Sequence, residues 1–259
     1  MTLTLGARAI GRPELGHALP DFLVIGAMKA GTTFLFAALA AHPHVIRSRR
    51  REIHFFGSRF KRGVAWYRTH FPTGVELRRY RAITGEGSTS YLANPDSPAR
   101  IRSVLPGVRM IALLRDPVDR AISNYFHEQR TGRETLPIAE AFAAEDDRVR
   151  TGRQRYLAYQ RRGFYAEQLA RYYELFPREQ LLVLKSETLF AEPQVAIDRV
   201  CRFLELDASL AARGYTPQNL GGYDPSQVPA SVYDELTRFY APHNARLYEM
   251  LGEDWGWRR

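Results

Sequence analysis

The chain reads as one α/β domain built on a parallel sheet flanked by helices, and three features of its 259 residues predict this. Short apolar runs rich in β-formers recur at residues 21–25 (DFLVI), 109–114 (RMIALL) and 181–185 (LLVLK), each too brief for a buried helix. Helical patterns alternate with them, which implies βαβ units and parallel strands. No internal repeat and no Gly/Ser-rich linker divides the chain, so residues 21–259 form a single domain after an N-terminal arm of residues 1–20.

In chain order, the first strand ends at Gly26, and residues 32–41 (TTFLFAALAA) form a helix with threonines available as caps. His42-Pro43 stops it. The second strand leads into a helix opened by Asp116-Pro117, with Asp as N-cap and Pro at the first helical position, and running to about residue 129. Residues 156–173, with interleaved Arg and Tyr, read as a turn plus an amphipathic helix, and the helix continues over 165–176. A third strand and a helix over 193–204 follow.

Composition narrows the function. Lys plus Arg number 37 against 28 Asp plus Glu, a net charge of +9, which favours an anionic partner without naming it. Hydrophobic residues at 45% and charged residues at 25% exclude a disordered chain. The single cysteine, Cys201, excludes a disulfide framework and a Cys-based zinc cluster, and packs inside its helix. The longest apolar run, residues 34–41, is far too short to cross a bilayer. The arm carries Arg8, Arg12 and Glu14 and lacks the apolar core of a secretory signal, so a cytoplasmic setting is expected. His42 and His44 flank a proline in a helix-ending turn and predict no metal site. No aromatic ladder and no nucleic-acid motif is present, so a nucleic-acid partner is not expected.

Ligands of parallel sheets bind beyond the carboxyl ends of the strands. After the first strand, Gly26 and Gly31 have the spacing of a phosphate-binding loop, whose amides and helix N-terminus can wrap an anion. The nucleoside triphosphatase pattern needs Lys directly after the second Gly; here that residue is Thr32, and the lysine is Lys29. The strand 109–114 ends in Arg115 rather than in a magnesium-binding Asp. An anion held by Lys, hydroxyls and amides without metal follows, against the plain alternative of a Gly turn with a solvated Lys. Arg115 offers a planar fork and Ser123 a hydroxyl for a second phosphate, against an ordinary pairing of Arg115 with Asp119. Two such sites suit a nucleotide phosphorylated on both sides of its ribose.

Five segments together resemble the sulfotransferases, specifically the heparan-sulfate type and its bacterial relatives: residues 20–39 (PDFLVIGAMKAGTTFLFAAL), 51–56 (REIHFF), 113–125 (LLRDPVDRAISNY), 161–169 (RRGFYAEQL) and 239–257 (FYAPHNARLYEMLGEDWGW). The resemblance implies in-line transfer of a sulfuryl group from 3′-phosphoadenosine 5′-phosphosulfate (PAPS) to a hydroxyl, less readily an amine, of a carbohydrate, glycolipid or small metabolite. It implies that Lys29, Ala30, Gly31, Thr32 and Thr33 hold the 5′-phosphosulfate, and Arg115 with Ser123 the 3′-phosphate. Gly221 and Gly222 fall in the donor-binding loop, which here lacks the family's basic residues, and the family's nearby disulfide is missing too.

Glu52 takes the place of the general base and Lys29 that of the cation on the leaving oxygen, by the same resemblance. His54 is expected to share a strand face with Glu52 and to orient it or touch the acceptor. Arg51, from the run Arg47-Ser48-Arg49-Arg50-Arg51, and Ser88 and Tyr91 are candidate acceptor contacts, while Arg161, Gly163 and Tyr165 approach the donor. Where the family often carries Lys after the Glu of the segment 86–91 (EGSTSY), this chain has Gly87. A small-molecule or carbohydrate acceptor is expected, with no integral membrane contact and no metal. Two other readings stay open: a P-loop kinase, which would need magnesium with ATP, and a non-enzymatic polyanion-binding module, with steep salt dependence and no nucleotide preference.

Overall fold

Strands buried on both faces usually read as continuous apolar runs, and two strands at the core of this protein do. The computed structural model describes residues 16–152, 155–214 and 223–257. Its sheet has five strands, β1 (Phe22–Gly26), β2 (Val45–Arg47), β3 (Ile83–Gly87), β4 (Arg109–Leu114) and β5 (Leu181–Lys185), in the order β2-β3-β1-β4-β5. All four pairings are parallel. The three runs predicted as strands are β1, β4 and β5. The sequence reading missed β2, which has three residues, and β3, whose ITGEG lacks any apolar run.

Why so polar a strand lies next to the centre is answered by its neighbour. Phe22 of β1 pairs in register with Gly85 of β3, and a Cβ at Gly85 would stand 2.5 Å from the Phe22 ring. The glycine is there because an aromatic ring covers its face.

The sheet is flanked by the helices Thr32–Ala40, Pro117–Arg130, Tyr165–Tyr173 and Pro193–Phe203, close to the predicted bounds, and by a C-terminal helix, Ala230–Leu251. Residues 156–163 form two short 3-10 turns rather than helix, at Arg155–Leu157 and Arg161–Gly163. Asp116 caps the Pro117–Arg130 helix as expected, its side chain accepting from the Val118 N–H at 2.8 Å. The Ala230–Leu251 helix packs on both the Tyr165–Tyr173 and Pro117–Arg130 helices. Its Leu236 and Tyr240 join Ile122, Tyr125 and Tyr159 in an apolar cluster separate from the sheet core. Cys201 is buried and unpaired. Among the described residues no helix is long and apolar enough to cross a membrane, and no cluster of His, Cys, Asp and Glu is arranged to hold a metal ion. His42 lies in a turn, its Nε2 3.0 Å from the Asp207 carbonyl.

This topology brings the carboxyl ends of β1, β3 and β4 together, so the loops after Gly26, Gly87 and Leu114 meet at one edge. The Phe22–Gly85 contact lies at the amino end of the β1–β3 pairing. Gly85→Ala is expected to destabilise the protein by about 1–3 kcal/mol through overpacking, read as a lower urea midpoint; an unchanged midpoint would contradict the contact.

Candidate active site

The loop between β1 and the Thr32–Ala40 helix is shaped by its backbone. Gly31, at φ 90°, is the N-cap, and no side chain caps the helix, contrary to the threonine caps expected. Thr33 Oγ1 accepts instead from Arg51 Nη1 at 3.2 Å. Without a side-chain cap, the first amides of the helix remain available to a ligand, as an anion requires. Lys29 is itself left-handed, at φ 70°. Two further residues fix the loop: Ser186, just past β5, donates to the Ala30 carbonyl at 2.7 Å, and Arg115 Nη1 donates to the Lys29 carbonyl at 3.4 Å.

Arg115 is held in turn. Tyr165 donates its hydroxyl to the Arg115 carbonyl at 2.9 Å, and Glu187 accepts from the Asp116 N–H at 2.9 Å. The plain pairing foreseen for Arg115 also exists, but loosely, with Asp119 Oδ2 at 4.0 Å. Burial lowers the pKa of Lys29, and the cations Arg130 and Arg115 lower it further, with Glu128 opposing. Lys29 and Arg115 beside an uncapped helix start, with Arg130 within electrostatic reach of Lys29, fit an anionic ligand. Ser123 is buried in the Pro117–Arg130 helix. Gly221 and Gly222 lie outside the described residues.

Glu52 and His54 meet, though not on a strand. Residues 51–54 have no regular structure, and His54 is left-handed at φ 56°, which turns its ring back so that Nε2 lies 3.2 Å from Glu52 Oε2. The other ring nitrogen, Nδ1, is 3.1 Å from Ser90 Oγ. Burial pushes the Glu52 pKa up, but the His54 hydrogen bond and charge, Arg51 and Thr89 outweigh it and hold the carboxyl below its usual range. Glu52 lines a cleft of about 190 Å³ with Thr32, Thr33, Arg51, Gly87 and Thr89. Gly87 therefore stands on the wall of this cleft, and the cation lining it is Arg51. Arg47, Arg49 and Arg50 are exposed.

The sequence reading missed the group that organises this loop. Glu86, at the end of β3, is fully buried and accepts four hydrogen bonds. Tyr67 and Tyr91 donate their hydroxyls to Oε1 at 2.8 and 2.7 Å, and Ser88 Oγ and the Ile53 N–H donate to Oε2 at 2.6 and 3.4 Å. Ser88 Oγ also accepts from the His54 N–H at 3.0 Å. Burial raises the Glu86 pKa while the four donors act the other way. Ile53 sits between Glu52 and His54, so the buried carboxylate grips the backbone of both. The available signal was an acid inside the strand pattern ITGEG, close to two tyrosines that bury only with a partner for their hydroxyls.

Ser88 and Tyr91 are thus corrected as acceptor contacts: both side chains are fully buried and turned onto Glu86, and from this segment Thr89 faces the cleft. Of the three residues expected near the donor, Arg161 is exposed and pairs with Asp146 at 2.9 Å. Gly163 packs against Tyr240 and Pro117. Tyr165 reaches Arg115 through its hydroxyl. The Arg162 next to them, not singled out from the sequence, is the one that reaches the loop, its Nη1 3.5 Å from Met28 Sδ.

Glu86→Ala would strand four buried donors and is expected to cost about 3 kcal/mol or more in denaturant unfolding, with Tyr91→Phe costing about 1.5–3 kcal/mol. A loss below about 1 kcal/mol for Glu86→Ala would show that the network carries little stability.

Comparison with known proteins gives the family. The family model described as "Sulfotransferase domain" matches residues 19–219. Human heparan sulfate glucosamine 3-O-sulfotransferase 6 is 32% identical over 92% of this chain and 73% of its own length. Human heparan sulfate glucosamine 3-O-sulfotransferase 3A1 is 30% identical over 97% of this chain; this chain spans 66% of that relative's length. A crystal structure of a sulfotransferase from Alicyclobacillus acidocaldarius superposes with a TM-score of 0.79 at 32% identity, covering 93% of this chain and all of that one. A parallel sheet with an uncapped cationic loop at its centre, matched in sequence by that family along most of its length, has one reading: the chain belongs to the sulfotransferase domain family.

Proposed function

We propose that this protein transfers a sulfuryl group from PAPS to a hydroxyl of a carbohydrate, glycolipid or small metabolite. The observation that carries the proposal is that Glu52, paired with His54, shares a cleft with Thr32 and Thr33 at the uncapped helix start that follows Lys29. The donor supplies an activated sulfuryl group and a bisphosphate leaving group. Lys29 and the amides of residues 30–33 hold its 5′ end, and Arg115 with Ser123 holds the 3′-phosphate.

Glu52 takes the proton from the acceptor hydroxyl. His54 fixes the direction of that carboxylate through the 3.2 Å contact, and Ser90 fixes His54. Lys29 places positive charge where negative charge grows on the leaving oxygen, and burial concentrates its effect. Human relatives of this chain are named as acting on heparan sulfate glucosamine, which supports a carbohydrate hydroxyl as the first acceptor class to try.

The deciding experiment is a thermal-shift titration with 3′-phosphoadenosine 5′-phosphate (PAP), 5′-AMP and ATP, each with and without magnesium. PAP at about 100 times its dissociation constant should raise the midpoint by about 5 °C or more, regardless of magnesium. Stabilisation by ATP with magnesium alone would replace this reading with a kinase. Arg115→Ala should weaken PAP about tenfold or more and leave 5′-AMP unchanged; equal losses for both nucleotides would contradict the 3′-phosphate role.

Glu52→Gln should lower kcat about 100-fold or more while PAP still binds. The pH profile has a definite sign. A base must be deprotonated, and the Glu52 pKa lies below the ordinary 4.5, so kcat should stay level as pH falls to about that value. Lys29 acts only while protonated and its pKa is depressed, so activity should fall with rising pH before 10.5 is reached. An acid limb near neutrality would rule out Glu52 as the base.

A further inference from the structure

The positive charge of this chain is not spread along it. Residues 47–81 hold eleven of its 37 Lys and Arg and two of its 28 Asp and Glu, which leaves 26 of each kind elsewhere. The whole net charge of +9 therefore belongs to one segment, which starts at the end of the edge strand β2. Both acids of the segment are engaged locally. Glu52 meets His54 at 3.2 Å, and Glu76 closes a capping box with Thr73 at the start of the helix Gly74–Arg79.

The fold gathers these cations beside one another. The Arg49 N–H donates to the His70 carbonyl at 2.8 Å. After burial, it is Arg50, Arg59 and Arg49 that lower the His70 pKa, so three guanidiniums stand within reach of one ring. The charge of Arg49 also reaches Glu76, which ties this group to the Gly74–Arg79 helix. That helix faces inward through Leu77, in a small apolar cluster with Ala18, Ala82 and Ile46 of β2. Val75 and Arg79, four residues apart, share its outer face. Val75 is 48% exposed, and Tyr80, at 54%, is the most exposed large apolar side chain among the described residues. The Arg79 guanidinium lies over the Tyr80 ring, 5.6 Å from its centroid, and the exposed Arg81 follows.

Cations alone would suit any polyanion. An exposed tyrosine and valine among them suit a partner with an apolar layer beneath an anionic one, which a soluble polyanion does not have. A tyrosine ring sits readily at headgroup depth with its hydroxyl in water, and each nearby Lys or Arg adds attraction to an anionic leaflet. We propose that this segment is a docking face for an anionic lipid surface, with Val75 and Tyr80 entering the headgroup layer and Arg49, Arg50, Arg79 and Arg81 meeting the lipid anions. The contact is peripheral and needs no spanning segment. None of these four arginines lines the Glu52 cleft; Arg51, at the end of the same run, does, so the cleft adjoins the docking face. Docking of this kind is independent of the reaction proposed above.

The test is co-sedimentation of the full chain with vesicles of phosphatidylcholine alone and of phosphatidylcholine with about 30% phosphatidylserine, beside binding to dextran sulfate as the soluble polyanion. The protein should partition into the acidic vesicles about tenfold or more better than into the neutral ones, and salt should release it. Arg79→Gln combined with Arg81→Gln should lower that partition about tenfold or more. Tyr80→Ser, which leaves the charge unchanged, should lower it about threefold or more while dextran sulfate binds as before. All three side chains are exposed, so the variants should keep the wild-type thermal midpoint. Equal partition into neutral and acidic vesicles, or a preference for acidic vesicles that survives both sets of changes, would overturn the docking face. Binding of dextran sulfate without binding to acidic vesicles would also overturn it, assigning the face to a soluble polyanion.

Discussion

A carboxylate sealed from water is tolerable where donors meet its oxygens, and Glu86 lies at the point where that requirement shapes the active site. Its four donors come from β3's own continuation (Ser88 and Tyr91), from Tyr67, and from the backbone between Glu52 and His54. Satisfying one buried acid therefore fixes the positions of two separate loops. The aromatic residues around it, Phe55 stacked on Tyr67 at 4.3 Å and Phe56 edge-on to Tyr91 at 5.6 Å, exclude water from the same spot. The part-buried acid proposed as the base, Glu52, is held in place by the fully buried Glu86.

The loop around Lys29 is organised on a different principle, by like charges held within reach of one another. Lys29, Arg115 and Arg130 stand close enough to depress the Lys29 pKa, and the helix beside them starts without a side-chain cap. Such an arrangement is costly in the free protein and favourable once a polyanion arrives, so binding energy is prepared in advance of the ligand. Ser186, Tyr165 and Glu187 hold the loops so that these charges do not relax apart.

Much of this was legible in the sequence, and the exceptions have physical reasons. β1 and β4 announce themselves as apolar runs because they are enclosed, and the edge strand β5, partly buried, does so through its leucines and valine. β3 does not, since its glycine accommodates the Phe22 ring and its glutamate is paid for by four donors rather than by apolar contacts. Lys29 and Arg115 were readable because each follows a strand that announces itself, whereas Glu52 and His54 came from the resemblance of residues 51–56 to a family segment. Their meeting was readable as well, but not its cause: Glu52 and His54 converge through a left-handed residue, not through strand alternation. Ser88 and Tyr91 misled because a hydroxyl in a motif does not reveal which way it points, and Glu86 claims both. Arg162 was hidden because RRG reads as surface charge, and only the fold shows that the first arginine turns to Asp146 and the second to Met28.

The left-handed backbones of Lys29 and His54 have a consequence for any attempt to breed a hardier version of this protein. Residues with a Cβ are strained in that region, and glycine or asparagine relieves the strain. A library selected only for survival of heat would be drawn toward Gly or Asn at these two positions, and its winners would have lost the ammonium and the imidazole. Robustness and the activity proposed for Lys29 and His54 thus pull against each other at two sequence positions, and a selection scheme for this scaffold has to score both at once.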